Sequence, residues 1–256
     1  MELVFSSSNE SKLGDYRRIA ARLTAKADSD EVRRMKNVEY VMRFSDDLFG
    51  FNINILCPTD IGATIEDVAE TGMSLYENAG IKARAAYNIL KRPVFADDSG
   101  NWINGIGGPA VFTGRYAEDR KNIKKCLEQL DTVYDTYSNT GAHTSEVITT
   151  TVICLITNDG KEHYFSGSLK GHIAWDLSKD DYENADDFEP GWTSILEPDL
   201  SFYTDEESAR FTRRIYAGYR PTMSALGQDI YDDICPRHMA LLNMLNYIKT
   251  RGNLDE

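Results

Sequence analysis

Cysteine is scarce and unpaired in this chain. Only Cys57, Cys126, Cys154 and Cys235 occur, and no two form a Cys-x-x-Cys pair. That usage excludes a zinc cluster or a disulfide framework and fits the reduced thiols of a cytoplasmic protein. Basic residues are also in deficit: 28 Lys and Arg stand against 41 Asp and Glu, a net charge of −13. A surface of that sign repels polyanions, and no basic stripe with interleaved aromatics offsets it, so DNA and RNA are not expected partners. No apolar run approaches the ~20 residues of a membrane span. Met1-Glu2-Leu3-Val4-Phe5 carries an acid and turns polar within a few residues, so no signal peptide is expected. Internal repeats and low-complexity tracts are absent. The four histidines, His143, His163, His172 and His238, lack metal-ligand spacing and read as structural or surface residues.

What remains is an ordinary globular composition, 41% hydrophobic and 27% charged over 256 residues, enough for one large domain. Leu3-Val4-Phe5 reads as a short buried strand. From Glu10 to Leu23 the apolar positions Leu13, Tyr16, Ile19, Ala20 and Leu23 recur at helical spacing. Tyr40-Val41-Met42 and Ile53-Asn54-Ile55-Leu56 look like strands. Ser74 to Leu90 reads as a helix, with Ser74 as N-cap and Glu77 completing a capping box. Pro93-Val94-Phe95-Ala96 is a strand, Gly105 to Pro109 a loop and Asp119 to Leu130 a helix. Glu146 to Ile156 is rich in Thr, Val and Ile and reads as a strand. Glu162 to Phe165 and Leu169 to Trp175 follow, broken by Gly167 and Gly171. The acidic stretch from Asp176 to Glu189 reads as a solvated loop. Thr204 to Arg214 and Pro236 to Tyr247 read as helices. This order predicts an α/β protein with a mixed sheet.

Two stretches carry chemistry. Ala96-Asp97-Asp98-Ser99-Gly100 places two adjacent carboxylates after an apolar run and before a small, flexible corner. A strand that delivers acids into such a turn suits a hard divalent cation, which binds through one or two carboxylates plus substrate phosphates. Ser7-Ser8-Asn9-Glu10-Ser11-Lys12 lies between a strand and a helix start. Unpaired backbone N–H groups of a first helical turn point at an anion there, and Lys12 can reach a phosphate oxygen. Each stretch also has a bland reading, an N-cap cluster for the serines and a solvated helix face for Glu77 and Lys82. Their co-occurrence with Glu70-Thr71-Gly72 favours a site.

Taken together, these residues resemble the inosine triphosphate pyrophosphatase family, which acts on purine nucleoside triphosphates with irregular bases. The family's T-x-N-x-x-K is similar to Ser7-Ser8-Asn9-Glu10-Ser11-Lys12. Its E-T-G and E-N-A-x-x-K-A are similar to Glu70-Thr71-Gly72 and Glu77-Asn78-Ala79-Gly80-Ile81-Lys82-Ala83. Its A-D-D-S-G stands intact at 96–100. Its G-x-P-G-x-x-S-x-R-Y is similar to the run from Gly107 to Tyr116. The resemblance runs from end to end as one pyrophosphatase-like domain, 1–256, with extra residues near 24–52 and 176–225. It implies an α/β fold with a long central mixed sheet, flanking helices and two lobes around a nucleotide cleft, as a cytoplasmic homodimer.

Carried over position by position, the resemblance implies that Glu70 and Asp98 bind Mg²⁺ and that Asp98 is the general base. Ser7, Ser8, Asn9, Lys12 and Lys82 would hold the phosphates, Ser99 would orient them, and Asp97 would support the ligands without binding the metal. The C-terminal motifs are altered. Thr193 stands for an Asp in Gly191-Trp192-Thr193-Ser194-Ile195-Leu196-Glu197-Pro198-Asp199. In Tyr231-Asp232-Asp233-Ile234-Cys235-Pro236-Arg237, Tyr231 replaces Lys, Cys235 replaces Ser and Pro236 replaces His. The base-reading residues would be Trp192, Thr193, Tyr231 and Arg237. Trp192 either stacks on the base or fills the core. Arg237 has donors only, which suits a 6-oxopurine. Two readings stay open: a pyrophosphatase with shifted base choice, acting on dITP, ITP or XTP, and a weak or inactive nucleotide sensor that regulates an effector protein, for example in antiviral defence. The first is preferred because a dead sensor has no need of both Glu70 and Asp98.

Overall fold

The protein is described from a computed structural model, which covers residues 2–7, 9–24, 53–117, 121–137, 145–174, 191–199 and 222–251. The expected strand at 40–42, the acidic loop at 176–189 and the helix at 204–214 lie outside the described residues, as do most of the two extra segments. Two compact units emerge from the packing. One is built from Met1–Ser99, Thr151–Ser168 and Asp232–Glu256, the other from Gly100–Thr150 and Leu169–Tyr231.

Strands and helices are interleaved along the chain, as in the order of sequence signals. They are β1 (Glu2–Phe5), α1 (Glu10–Thr24), β2 (Asn54–Leu56), α2 (Leu75–Leu90), β3 (Val94–Ile103), β4 (Gly108–Ala110), α3 (Asn122–Tyr137), β5 (Glu146–Ile156), β6 (Glu162–Ile173) and β7 (Leu196–Pro198). Three helices close the chain: α4 (Met223–Leu226), α5 (Gln228–Ile234) and α6 (Pro236–Arg251). The fold is mixed α/β, with a central mixed sheet flanked by helices.

In the first unit the strands lie in the order β2-β1-β3-β5-β6. β1 runs parallel to both β2 and β3. Side chains alternate across a strand, and that alternation divides the core in two. Val4, Val94, Ala96, Val152, Cys154 and Ile156 turn to one face and pack under Ala79, Ala83 and Ala86 of α2. Three alanines at helical spacing let α2 lie close on the sheet. Phe5 and Phe95 turn to the other face and meet Tyr16 of α1, with ring centroids 4.6–5.3 Å apart. α6 packs alongside α1 on that side.

In the second unit β4 pairs antiparallel with the far end of β3, and β7 pairs antiparallel with β6. The Gly108–Pro109 peptide is cis. β4 therefore replaces part of the loop expected at 105–109. α3 starts at Asn122 and runs on to Tyr137, beyond the expected end at Leu130.

Two sequence expectations are corrected. Asp97 and Asp98 do not end a strand, because β3 continues through Ser99 and Gly100 to Ile103. Cross-strand bonds carry it onward: Ser99 Oγ pairs with Thr151 Oγ1 at 2.9 Å, and Thr149 Oγ1 donates to Asn101 Oδ1 at 2.9 Å. Likewise Gly167 and Gly171 do not break β6, which is continuous from Glu162 to Ile173. They are points of close approach. A Cβ at Gly167 would stand 2.3 Å from the Pro236 carbonyl oxygen, and one at Gly171 would stand 2.2 Å from that of Glu197. Glycine in a strand often marks such an approach.

Candidate functional site

The alternation along β3 decides where its acids point. Asp98 shares the parity of Val94 and Ala96 and faces α2. Asp97 shares the parity of Phe95 and faces α1 and α6. The adjacent acids thus serve two different clusters, both within the first unit.

On the α2 side, Lys82 Nζ donates to Glu70 Oε1 at 2.9 Å and to Asp98 Oδ1 at 3.1 Å. Lys82 reaches back from the second turn of α2 to the segment that precedes the helix. Ser74 caps α2 as expected, its Oγ accepting from Glu77 N at 3.2 Å. The capping box itself is modified: the Glu77 carboxylate accepts from Met73 N at 2.6 Å, one residue before the cap. Asn78 is fully buried, and sequence reasoning gives it no role at the site. Its Nδ2 donates to Asp98 Oδ2 at 3.2 Å and its Oδ1 accepts from Gly72 N at 2.8 Å.

On the α1 side, Lys12 Nζ donates to Asp97 Oδ1 at 2.9 Å. Arg237, in the first turn of α6, donates through Nε to Asp97 Oδ2 at 3.4 Å and through Nη1 to Asp15 Oδ2 at 3.0 Å. Asp15, also without a motif to mark it, accepts from Arg18 Nη2 at 2.5 Å, and Arg18 Nε donates to Asp232 at 3.2 Å. Charges alternate along this chain, Lys12, Asp97, Arg237, Asp15, Arg18, Asp232. The Tyr16 hydroxyl is buried beneath it, close to Asp97. Burial and the Asp97 charge hold that phenol in its neutral form.

The strand-to-helix loop is a built turn. Ser7 Oγ accepts from Asn9 N at 3.1 Å, and Asn9 Oδ1 accepts from Lys12 N at 3.1 Å, so Asn9 caps α1. Ser8 lies outside the described residues. Ser99 pairs with Thr151. Trp192 and Thr193 occupy a 3-10 turn, Gly191–Ser194, and Tyr231 lies on α5; all three are half-buried members of the second unit. Cys235 is buried and its thiol is pushed up to about 12 by that burial. The four cysteines are free thiols, as their spacing implies.

Electrostatics join the two clusters. Burial alone would raise the Asp97 carboxyl, but the cations of Lys12, Arg237 and Lys82 outweigh it and hold it at about 2. Asp98 is raised above the ordinary carboxylate range by burial and by the nearby Glu70 charge, against the pull of Lys82 and Asn78. Burial pulls Lys12 down despite Asp97. Lys82 is burdened by burial too, yet Asp97, Asp98 and Glu70 carry it above its usual value.

Two carboxylates therefore converge on one ammonium, and one of them resists ionising. That donor set fits a hard cation in the place the ammonium now neutralises. Among the described residues no group of three or more acidic, His or Cys side chains could hold a metal. Two carboxylates suffice for Mg²⁺, which takes its remaining oxygens from water and substrate phosphate.

A sequence model of the Ham1 family matches residues 3–247. The chain belongs to the Ham1 family. It is 38% identical over 104 residues to the dITP/XTP pyrophosphatase of Escherichia coli strain K12, a match covering 39% of this chain and 52% of that protein. It is 53% identical over 72 residues to the dITP/XTP pyrophosphatase of Geobacillus kaustophilus strain HTA426, covering 26% of this chain and 35% of that protein. The matches thus span about half or less of these curated relatives. Among solved structures, the Staphylococcus aureus Ham1 protein superposes with a TM-score of 0.57 at 19% identity, covering 98% of this chain and all of that one. A HAM1 protein from Coxiella burnetii gives a TM-score of 0.59 at 21% identity over 98% and 99% of the two chains. At such identity these likenesses establish the Ham1 fold. The resemblance read from the motifs and the Ham1 match agree. No helix among the described residues is long and apolar enough to cross a membrane.

Proposed function

We propose that this chain is a metal-dependent purine nucleoside triphosphate pyrophosphatase, releasing a monophosphate and pyrophosphate from dITP, ITP or XTP. The observation that carries the reading is the convergence of Glu70 and Asp98 on one cation, with the half-buried Lys12 of the first turn of α1 held on the neighbouring Asp97. Glu70 and Asp98 would hold Mg²⁺, which when bound neutralises charge on the phosphate oxygens.

The side chains supply the rest. Lys12 and Lys82 are donor-only ammonium groups suited to phosphate oxygens, and Ser7, Asn9 and Ser99 would add hydrogen bonds to the same phosphates. Phosphoryl transfer depends mostly on positioning and charge neutralisation. Asp98 takes the proton of the attacking water as general base. The names of the curated relatives support dITP and XTP as substrates. The family resemblance extends the proposal to a cytoplasmic homodimer.

The test is incubation with dITP, ITP, XTP, dGTP and dATP, with and without Mg²⁺, reading pyrophosphate and monophosphate. Turnover that needs the metal, favours 6-oxopurines and falls by about 100-fold or more in Asp98→Asn is the expected result. Undiminished turnover in that variant would overturn the assignment. Tight dITP binding with no turnover in the wild type would favour the sensor.

A further inference from the structure

Arg18 belongs to no sequence motif, and its side chain is 41% exposed on α1. Its guanidinium nevertheless joins two buried carboxylates. Nη2 donates to Asp15 Oδ1 at 2.5 Å, and Nε and Nη2 donate to the two oxygens of Asp232 at 3.2 and 3.3 Å. Gly14, one turn back, leaves it space: a Cβ there would stand 3.3 Å from Arg18 Nη1. Both carboxylates lead on to Arg237, by separate routes. Asp15 turns its other oxygen to Arg237 Nη1 at 3.0 Å. Asp232 acts on the backbone instead. Its carbonyl oxygen accepts from Nδ1 of His238, the residue after Arg237 in the first turn of α6, at 2.8 Å. A guanidinium is a rigid planar fork of donors, so holding one edge and the backbone behind it fixes where the whole fork points.

We infer that Arg18 is a positioning residue for base choice: it ties Asp15 to Asp232 and through both of them aims Arg237. The inference rests on the reading of Arg237 as a donor to a 6-oxopurine. A donor held in place is matched by a 6-oxo oxygen, and it meets the 6-amino group of adenine as an unpaired donor, which is costly once water is excluded. A donor that can swing aside escapes that conflict, so the penalty on adenine falls. Discrimination therefore depends on how firmly Arg237 is held, and Arg18 is where its two braces meet. The phosphate tail is affected far less, because Lys12 keeps its own 2.9 Å contact with Asp97 and touches neither brace directly.

The experiment is a double-mutant cycle of Arg18→Met and Arg237→Met, with Arg18→Lys and Asp232→Asn alongside. Steady-state kinetics give the dITP to dATP ratio of kcat/KM, and calorimetry gives the affinity for tripolyphosphate, which has no base. Arg18→Met is expected to lower the ratio about tenfold or more, the scale of a misplaced contact, with tripolyphosphate affinity held within about twofold. Arg18→Lys, which keeps the charge, recovers part of the ratio. In the double variant the ratio equals that of Arg237→Met alone, because Arg18 acts only through Arg237. If Arg18→Met does not fold, Arg18→Lys and Asp232→Asn decide the matter through the same ratio. An unchanged ratio in the Arg18 variants while Arg237→Met collapses it, or losses that simply add in the double variant, would overturn the inference alone. An unchanged ratio in Arg237→Met would overturn the reading of Arg237 and this inference with it.

Discussion

Asn78 ties the candidate base to the turn before its own helix: Nδ2 donates to Asp98 Oδ2 at 3.2 Å while Oδ1 accepts from Gly72 N at 2.8 Å. One buried carboxamide therefore sets both the rotamer of Asp98 and the path of Glu70-Thr71-Gly72. Asn78→Asp keeps the shape and adds a negative charge. A like charge beside Asp98 raises its pKa further, and a base with a higher pKa is active only at higher pH. The acid limb of kcat/KM against pH should move upward, with activity recovering on the alkaline side. An unmoved limb would show that Asn78 has no hold on the base.

Gly72 has a steric role in the same clamp. A Cβ there would stand 2.6 Å from Glu77 Cβ and 2.7 Å from Asn78 Oδ1. Neither neighbour can retreat, since one belongs to the first turn of α2 and the other is bonded on both sides. Gly72→Ala should cost ~1–3 kcal/mol, the usual penalty of overpacking, and lower metal affinity through displaced Glu70. Denaturant melts and a Mg²⁺ titration of turnover check both. A native-like variant with unchanged metal dependence would contradict the clamp.

Asp98 pits stability against function. Its pKa is raised by burial first and by Glu70 second. A raised carboxyl stabilises the fold below its unfolded pKa, and that contribution disappears as pH rises through the folded value. At neutral pH Asp98 is thus held ionised at a cost. Asp98→Asn removes the charge and keeps the size, so it should raise Tm in the metal-free protein by ~2–4 °C for each 1 kcal/mol relieved while removing turnover. A lower Tm at pH 7 would refute this account.

Much of this fold is legible in the residues. α1 and α2 follow their apolar periods, Ser74 caps where its type and place require, and the Thr/Val/Ile run of β5 is the strand it resembles. The departures share one cause: glycine and acidic residues look like punctuation in a sequence, and here they are not. Gly100 lies inside β3 because cross-strand partners on β5 hold the strand past it. Gly167 and Gly171 admit a neighbouring backbone where a side chain would collide. The division of labour between Asp97 and Asp98, which the family resemblance implies, has a physical reason. Adjacent residues on a strand face opposite ways, so the acids could not form one metal pair. Glu70, Lys82 and Asp98, named from motif order, are brought into contact by the fold. Asp15 and Asn78 are not legible as site residues, because each acts through tertiary contacts, to Arg237 in one case and to Gly72 and Asp98 in the other.

Asp97 gives a second dependence on pH, of opposite sign. Its side chain is 1% exposed and its carboxyl is held at about 2, against an unfolded value near ~3.9. A depressed carboxyl stabilises the fold above its unfolded pKa, and the contribution is lost as pH falls through the folded value. The window therefore runs from about pH 4 down to about pH 2, and the shift corresponds to roughly 2–3 kcal/mol. Asp97→Asn leaves Lys12 and Arg237 facing a neutral amide, so at pH 7 it should cost ~3–5 kcal/mol, the usual result of removing one partner from a buried ionic cluster. Urea melts of wild type and variant at matched pH isolate this group from the other carboxylates that titrate in acid. The stability gap between them should be flat above about pH 4 and shrink toward pH 2, as wild-type Asp97 takes up its proton. A gap that stays constant down to about pH 2 would mean that the lysine and arginine do not hold Asp97 ionised.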